Sequence, residues 1–78
     1  MSERLPIVTA KEIIKVAQKV GFLFDRQKGS HAIYYRKIDK ARIVVPVHPS
    51  KEIKIKTMLG IISEMGIDVD EFKRILKD

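Results

Sequence analysis

The sequence predicts an α+β domain in which helices cover one face of a three-stranded antiparallel sheet. The predicted order is α-β-β-β-α, followed by a short C-terminal helix. Residues 10–20 and 57–65 carry apolar residues at helical spacing, and residues 22–47 contain three short strand-like segments separated by tight turns. Strands joined in this way form a meander whose second face stays open when helices cover the first. At 78 residues, the chain is expected to form one domain over residues 1–78.

The first helix is predicted over residues 10–20. Thr9 and Glu12 have the spacing of a capping box, in which a hydroxyl and a carboxylate bind the first main-chain N–H groups. Gly21 suits the left-handed position that ends a helix. The opposite face carries three lysines, which either form a solvated surface or contact RNA. They are Lys11, Lys15 and Lys19.

The three strands are predicted over residues 22–27, 31–38 and 41–47. Pro46 cannot donate a hydrogen bond to a neighbouring strand, which places the third strand at an edge and the second in the centre. The second helix occupies residues 57–65, with a start near residue 55, and Gly66 ends it. A capping pattern at Asp68 predicts a last helix through about Leu76.

The hairpin between the second and third strands sets the predicted strand register. If Asp39 and Lys40 form a two-residue turn, His31 faces His48, and Lys37 faces Arg42, all on the open face. The more apolar set is then expected to lie under the helices. It comprises Ala32, Tyr34, Arg36 and Ile38 with Ala41, Ile43, Val45 and Val47.

The two histidines are the candidate catalytic groups. Directly opposed residues have Cβ atoms roughly 5 Å apart, and two imidazoles at that distance could share proton transfer near neutral pH. Alternatively, one or both of His31 and His48 only fill strand positions. Two histidines without cysteine or a matched carboxylate leave a zinc shell incomplete, so we expect no metal and no other cofactor.

The charge distribution suggests a polyanionic partner. The net charge is +6: residues 1–56 hold 13 Lys and Arg against 5 Asp and Glu, a net +8, and residues 57–78 are −2. Ordinary solubilising charge is the alternative. The absence of cysteine excludes disulfides, thiolate metal sites and cysteine nucleophiles. Without a membrane-length apolar run or a signal pattern, we expect a cytoplasmic protein with no membrane partner.

Three lysines also lie just before the second helix or at its predicted start: Lys51, Lys54 and Lys56. Cations near a helix N-terminus oppose the macrodipole by roughly 0.3–1 kcal/mol each. Their presence is explained if a phosphate binds there, held by the lysines and by main-chain N–H groups. Flexible loop lysines without a function are the alternative.

Four segments in order, LPIVTAKEIIKVAQKVGF, RQKGSHAIYYRK, RIVVPVHPSKEIK and TMLGIISEMGID, resemble the HicA (YcfA-like) mRNA interferase toxins. The resemblance covers nearly the whole chain and implies a double-stranded-RNA-binding-domain-like fold. It also implies ribosome-independent mRNA cleavage and neutralisation by a HicB-type antitoxin. The family's catalytic histidine corresponds to His31 of the GSH triplet, and His48 matches the V-P-x-H position.

Together these features predict a metal-independent endoribonuclease whose partners are mRNA and a HicB-type antitoxin. His31 transfers a proton, and His48, Tyr35 or water transfers the second. The alternative is a non-catalytic RNA-binding module. A third possibility is that the chain is only the structural half of a protein pair and neither cleaves nor binds RNA. The antitoxin is expected to cover His31 and to bring acceptor groups to its neighbouring cations. The predicted RNA-binding residues are Lys28, Ser30, Lys37, Arg42, Lys51, Lys54 and Lys56.

Overall fold

The structure, a computed structural model, describes residues 5–47 and 52–78 and confirms the predicted α+β fold. The sheet is antiparallel with strand order β1-β2-β3, so the second strand is central as predicted. Helices α1 and α2 pack against β3 on one side of the sheet, and α3 packs against α1 and α2. The elements are α1 (Ala10–Lys19), β1 (Leu23–Lys28), β2 (His31–Arg36), β3 (Ala41–Pro46), α2 (Ile55–Met65) and α3 (Val69–Lys77).

The predicted helix ends are confirmed by their hydrogen bonds. The Thr9 hydroxyl accepts from the Glu12 N–H at 3.3 Å, and the Glu12 carboxylate accepts from the Thr9 N–H at 2.9 Å. Gly66 ends α2 in the left-handed conformation, with φ of 84°. The Asp68 carboxylate accepts from the Glu71 N–H at 2.8 Å and caps α3. These motifs involve residues a few positions apart, which is why the sequence alone could identify them.

The predicted hairpin register is wrong by two residues. His31 lies opposite Pro46 rather than His48, and Arg42 lies opposite Tyr35 rather than Lys37. The turn has four residues, 37–40, instead of two. Lys37 therefore lies in the turn and not on the sheet, and Ile38, predicted to be covered by the helices, is 91% exposed there.

Two local features explain the longer turn. The Asp39 carboxylate accepts hydrogen bonds from the Arg36 guanidinium at 3.0 and 2.8 Å and from the Ala41 N–H at 3.3 Å. Lys40 adopts a left-handed conformation with φ of 59°. Because side chains alternate along a strand, a two-residue shift leaves every strand residue on its predicted face. Four of the residues predicted to lie under the helices are accordingly buried: Ala32, Tyr34, Ile43 and Val45.

Arg36 joins the ends of both sheet-covering helices. Its guanidinium donates to the main-chain oxygen of Val20 at 3.0 Å, at the end of α1, and to that of Met65 at 2.9 Å, at the end of α2. It also lies 4.5 Å from the centroid of the Phe22 ring. The hydrogen bond to Asp39 raises the pKa of Arg36 and lowers the pKa of the Asp39 carboxyl. Arg36 thus balances the partial negative charge of two helix C-termini.

This arrangement orients both helices relative to the sheet. Since α1 and α2 end at Arg36, the last residue of β2, they begin toward His31, the first residue of β2. An eleven-residue helix and a six-residue strand both span roughly 16 Å. An isolated bridge between Thr9 and Glu52 joins the segments that precede the two helices. We call this end of the sheet, which contains His31, the histidine end.

Two lysines of the α1 row bind the end of α3. The Lys15 and Lys19 ammonium groups donate to the main-chain oxygens of Leu76 and Ile75, each at 3.3 Å. Cations at this position donate hydrogen bonds to the C-terminal carbonyls of a helix and interact favourably with the negative end of its dipole. These contacts give two of the three lysines a structural role that neither sequence-based alternative included.

Replacing Arg36 with Lys should lower the free energy of unfolding by about 2 kcal/mol, because an ammonium cannot reach both helix ends and Asp39 together. Urea denaturation measures the loss. Arg74→Lys is the matched control, since Arg74 forms an exposed ion pair with Glu71 within one helix. That change should cost under about 0.5 kcal/mol. Equal losses for the two variants would contradict the role assigned to Arg36.

Candidate functional site

The side of the sheet that faces away from the helices carries the candidate site. Ala32 and Tyr34 lie buried beneath the helices, so the alternating residues of β2 point to the other side. The strand pairing places three cross-strand rows there, and none of their nine positions is acidic. We call these nine residues the open face: Lys28–His31–Pro46, Arg26–Ile33–Val44 and Leu23–Tyr35–Arg42.

A β-bulge gives this face its charge. The register of β1 against β2 shifts between Phe24 and Arg26, so that Asp25 is the extra residue. Strict alternation from Leu23 would have placed Asp25 and Gln27 on the open face. The bulge places Arg26 and Lys28 there, and the Asp25 carboxylate stays beside Arg26, 3.3 Å from its guanidinium. Arg26 is absent from the residues predicted to form the site, because the sequence pattern of β1 shows no sign of the bulge.

His31 lies at one end of the open face. It is the first residue of β2, directly after a turn in which Gly29 has φ of 57°. Its side chain is exposed, and no group within residues 5–47 and 52–78 hydrogen-bonds to its imidazole. Lys28 pairs with His31 across the strands. Ser30 precedes it, and the Ser30 carbonyl accepts from the Val47 N–H at 2.7 Å.

The structure therefore brings Lys28 and Ser30 to His31, but not Tyr35, Lys37 or Arg42. Tyr35 lies four residues along β2, which corresponds to roughly 13 Å. Arg42 pairs with Tyr35 and lies equally far along the sheet. Lys37 lies in the turn beyond them. A separation of this size favours binding over proton transfer at the same phosphate. His48 and Lys51 fall outside the described residues.

The remaining predicted cations lie at the start of α2. Lys54 is its N-cap residue and makes no side-chain cap, and Lys56 is the second residue of the helix. Both are exposed, and the first turn contains no acidic residue. The orientation of α2 places this N-terminus toward the histidine end. Because Lys54 makes no cap and the first turn has no acidic residue, the first N–H groups of α2 have no side-chain acceptor within the described residues.

Neither a metal cluster nor a membrane span occurs in the part of the chain that the structure describes. Residues 5–47 and 52–78 contain no group of three or more His, Cys, Asp or Glu side chains that could hold a metal ion. No helix in the same ranges combines the length and the apolar composition needed to cross a membrane.

The fold and the site define a small α+β protein in which helices cover one sheet face, while the other face is cationic and bears an exposed histidine, with Ile33 buried at its centre. A family model described as HicA toxin of bacterial toxin-antitoxin matches residues 10–67, about three quarters of the chain. The chain belongs to the HicA toxin family, and its role is that of the toxin in a toxin–antitoxin system. A search of curated proteins found no match. Helix α3 lies beyond the matched residues.

Proposed function

We propose that this toxin is a metal-independent endoribonuclease that cleaves mRNA and that a HicB-type antitoxin inhibits. The observation that carries the proposal is the exposed His31 at one end of a cationic face, with Lys28 directly across from it. A cationic surface attracts the phosphates of RNA. The imidazole, which makes no hydrogen bond to a described residue, is available to a substrate.

RNA carries its own nucleophile, so the protein needs only to transfer protons and stabilise charge. The 2′-hydroxyl oxygen attacks the adjacent phosphorus, and the bond from phosphorus to the 5′-oxygen of the next nucleotide breaks. His31 takes the 2′-hydroxyl proton or protonates the departing 5′-oxygen, and His48 or water performs the other transfer. Lys28 stabilises the additional negative charge in the transition state. The products are a 2′,3′-cyclic phosphate and a 5′-hydroxyl.

The start of α2 supplies a second phosphate contact in this proposal. Lys54 and Lys56 flank main-chain N–H groups that have no side-chain cap, and Lys51 belongs to the same predicted set. The helix dipole and these cations act in the same direction on an anion. Because α2 begins toward the histidine end, a phosphate held there lies at the same end of the sheet as His31, and an RNA strand that passes around this end can contact both.

The direct test is cleavage of labelled single-stranded RNA by the purified chain in the presence of EDTA. We expect cleavage to persist in EDTA and the fragments to end in 2′,3′-cyclic phosphate. Fragments ending in a 3′-hydroxyl would contradict attack by the 2′-oxygen. Loss of activity in EDTA that returns with added metal would contradict metal independence.

A non-catalytic RNA-binding module is the second candidate. The observation that favours it is the cationic open face itself, because Lys28 and Arg42 can bind phosphates without any proton transfer. This function requires only a cationic surface and the shape of the fold. It predicts gel shifts with RNA but no cleavage by either the native chain or the His31→Ala chain.

Inhibition by the antitoxin should depend on the cations of the open face. Reversing Lys28 and Arg42 to Glu should weaken the binding of both RNA and antitoxin, most strongly at low salt, because both partners are expected to contact this face. Titration calorimetry and gel shifts measure the two affinities.

The matched control for this double reversal is Arg74→Glu with Lys77→Glu, which changes the net charge equally at exposed positions of α3. The control should affect both affinities much less. If the Lys28 and Arg42 reversals abolished RNA binding and left antitoxin affinity unchanged at low salt, the antitoxin would have to act from another surface.

A further inference from the structure

We propose that Tyr35 is a base-stacking residue, and that single-stranded RNA lies along the open face with a base neighbouring the cleavage point against its ring. The proposal rests on the proposed function and specifies where the substrate lies. It assigns Tyr35 to binding, whereas the sequence suggested a share in proton transfer.

The position of Tyr35 supports this assignment. It lies on the central strand, on the same face as His31, and its side chain is 37% exposed. Its neighbour across to β1 is Leu23, which is 72% exposed, and Val44 in the adjacent row is 39% exposed. Apolar side chains of this size are usually exposed together where a partner covers them. An aromatic ring among them offers a flat surface against which any base can stack.

The charges around Tyr35 match a single strand of RNA. The ring-bearing residues, His31 and Tyr35, lie on the central strand, and the cations lie on the strands at either side, Arg26 and Lys28 on β1 and Arg42 on β3. A single strand presents both phosphates for the cations and base planes for the ring. A duplex hides its base planes within the stack, so it could use the cations but not Tyr35.

The distance along β2 fixes the role of the ring. Tyr35 lies roughly 13 Å from His31 along the strand. A general acid or base must come within hydrogen-bonding distance of the proton that it transfers. Tyr35 therefore cannot serve the phosphate at His31, but it can hold the same strand a short distance away. Stacking uses the ring rather than the hydroxyl, which makes the proposal testable by conservative substitution.

The experiment measures binding separately from cleavage. The full-length His31→Ala chain is mixed with a short single-stranded RNA containing 2-aminopurine, whose fluorescence reports stacking, and affinity is measured by anisotropy. In this background Tyr35→Phe should bind within about two-fold of the parent, and Tyr35→Leu should bind about 5- to 100-fold more weakly. Leucine keeps the apolar bulk but lacks the aromatic plane. Thermal melts followed by circular dichroism establish that each variant is folded.

Phe24→Leu is the matched control, because Phe24 is an exposed aromatic residue of β1 whose strand partner is the buried Tyr34, on the other side of the sheet. It should leave RNA affinity unchanged. Unchanged affinity for Tyr35→Leu would overturn the proposal, as would an equal loss of affinity for duplex RNA. A variant that loses antitoxin binding and keeps RNA binding would also overturn it, because the face would then be a protein-binding surface.

The same measurements separate this proposal from the proposed function. If the native chain fails to cleave RNA but the Tyr35 series behaves as expected, the nuclease assignment fails and the stacking assignment stands. If the native chain cleaves RNA and Tyr35→Leu changes neither affinity nor the 2-aminopurine signal, the stacking assignment fails alone.

Discussion

Replacing His31 with Ala should lower the rate of RNA cleavage by about 10²- to 10⁴-fold, the usual contribution of a positioned general acid or base. The fold should be unaffected, because the side chain is exposed and hydrogen-bonds to no described residue. Surface changes of this kind usually alter the free energy of unfolding by less than about 0.5 kcal/mol. Cleavage of labelled RNA measures the first quantity, and thermal melting the second.

His31→Gln is the matched control for this prediction. Glutamine keeps a polar side chain of similar reach but does not exchange protons near neutral pH. It should be as inactive as alanine if His31 transfers a proton. If glutamine restores most of the activity, His31 acts by hydrogen bonding alone. In a growing cell, induction of the native chain should arrest growth, and induction of either variant should not.

Replacing Phe72 with Ala should lower the free energy of unfolding by about 3–5 kcal/mol, the cost of removing a large aromatic side chain from a packed core. Phe72 is 0% exposed and is the buried residue through which α3 joins the common core. A loss of that size approaches the whole stability that a core in a chain of this length usually supplies. Urea denaturation, or the absence of a cooperative transition, gives the result.

Phe24→Ala provides the comparison for Phe72, because it removes the same side chain from a position that is 55% exposed. Phe24 makes an edge-on contact with Tyr34, with ring centroids 5.6 Å apart. Its removal should cost about 0.5–1.5 kcal/mol. Similar losses for the two phenylalanines would show that α3 adds little to the core, although Lys15 and Lys19 bind its C-terminal carbonyls.

The fold was predictable because its signals are local. The capping box of Thr9 and Glu12, the left-handed Gly66 and the Asp68 cap each involve residues a few positions apart. The alternation of β2, taken together with that of β3, placed His31 and Tyr35 on the open face, and the two-residue error in register left this assignment unchanged. Local sequence motifs and alternation therefore sufficed to predict the elements, their order and the exposed histidine.

What the sequence could not supply depends on contacts between distant residues. The four-residue turn depends on Arg36, which holds Asp39 while also binding two helix ends. The row of lysines on α1 could not be assigned, since Lys15 reaches a carbonyl 61 residues away. The bulge at Asp25, which gives the open face an additional arginine, exists only in the pairing of β1 with β2.

The shared direction of α1 and α2 has a consequence for encounter kinetics. Both helices direct their positive ends toward the histidine end and their negative ends toward Arg36, which partly neutralises them. The dipoles therefore add to the field of Lys28, Lys54 and Lys56 at the end that carries His31, and this contribution favours a diffusing polyanion there. The association rate should fall steeply with ionic strength, and the dissociation rate should change much less. The orientation of an incoming strand is thus biased before any base reaches the sheet.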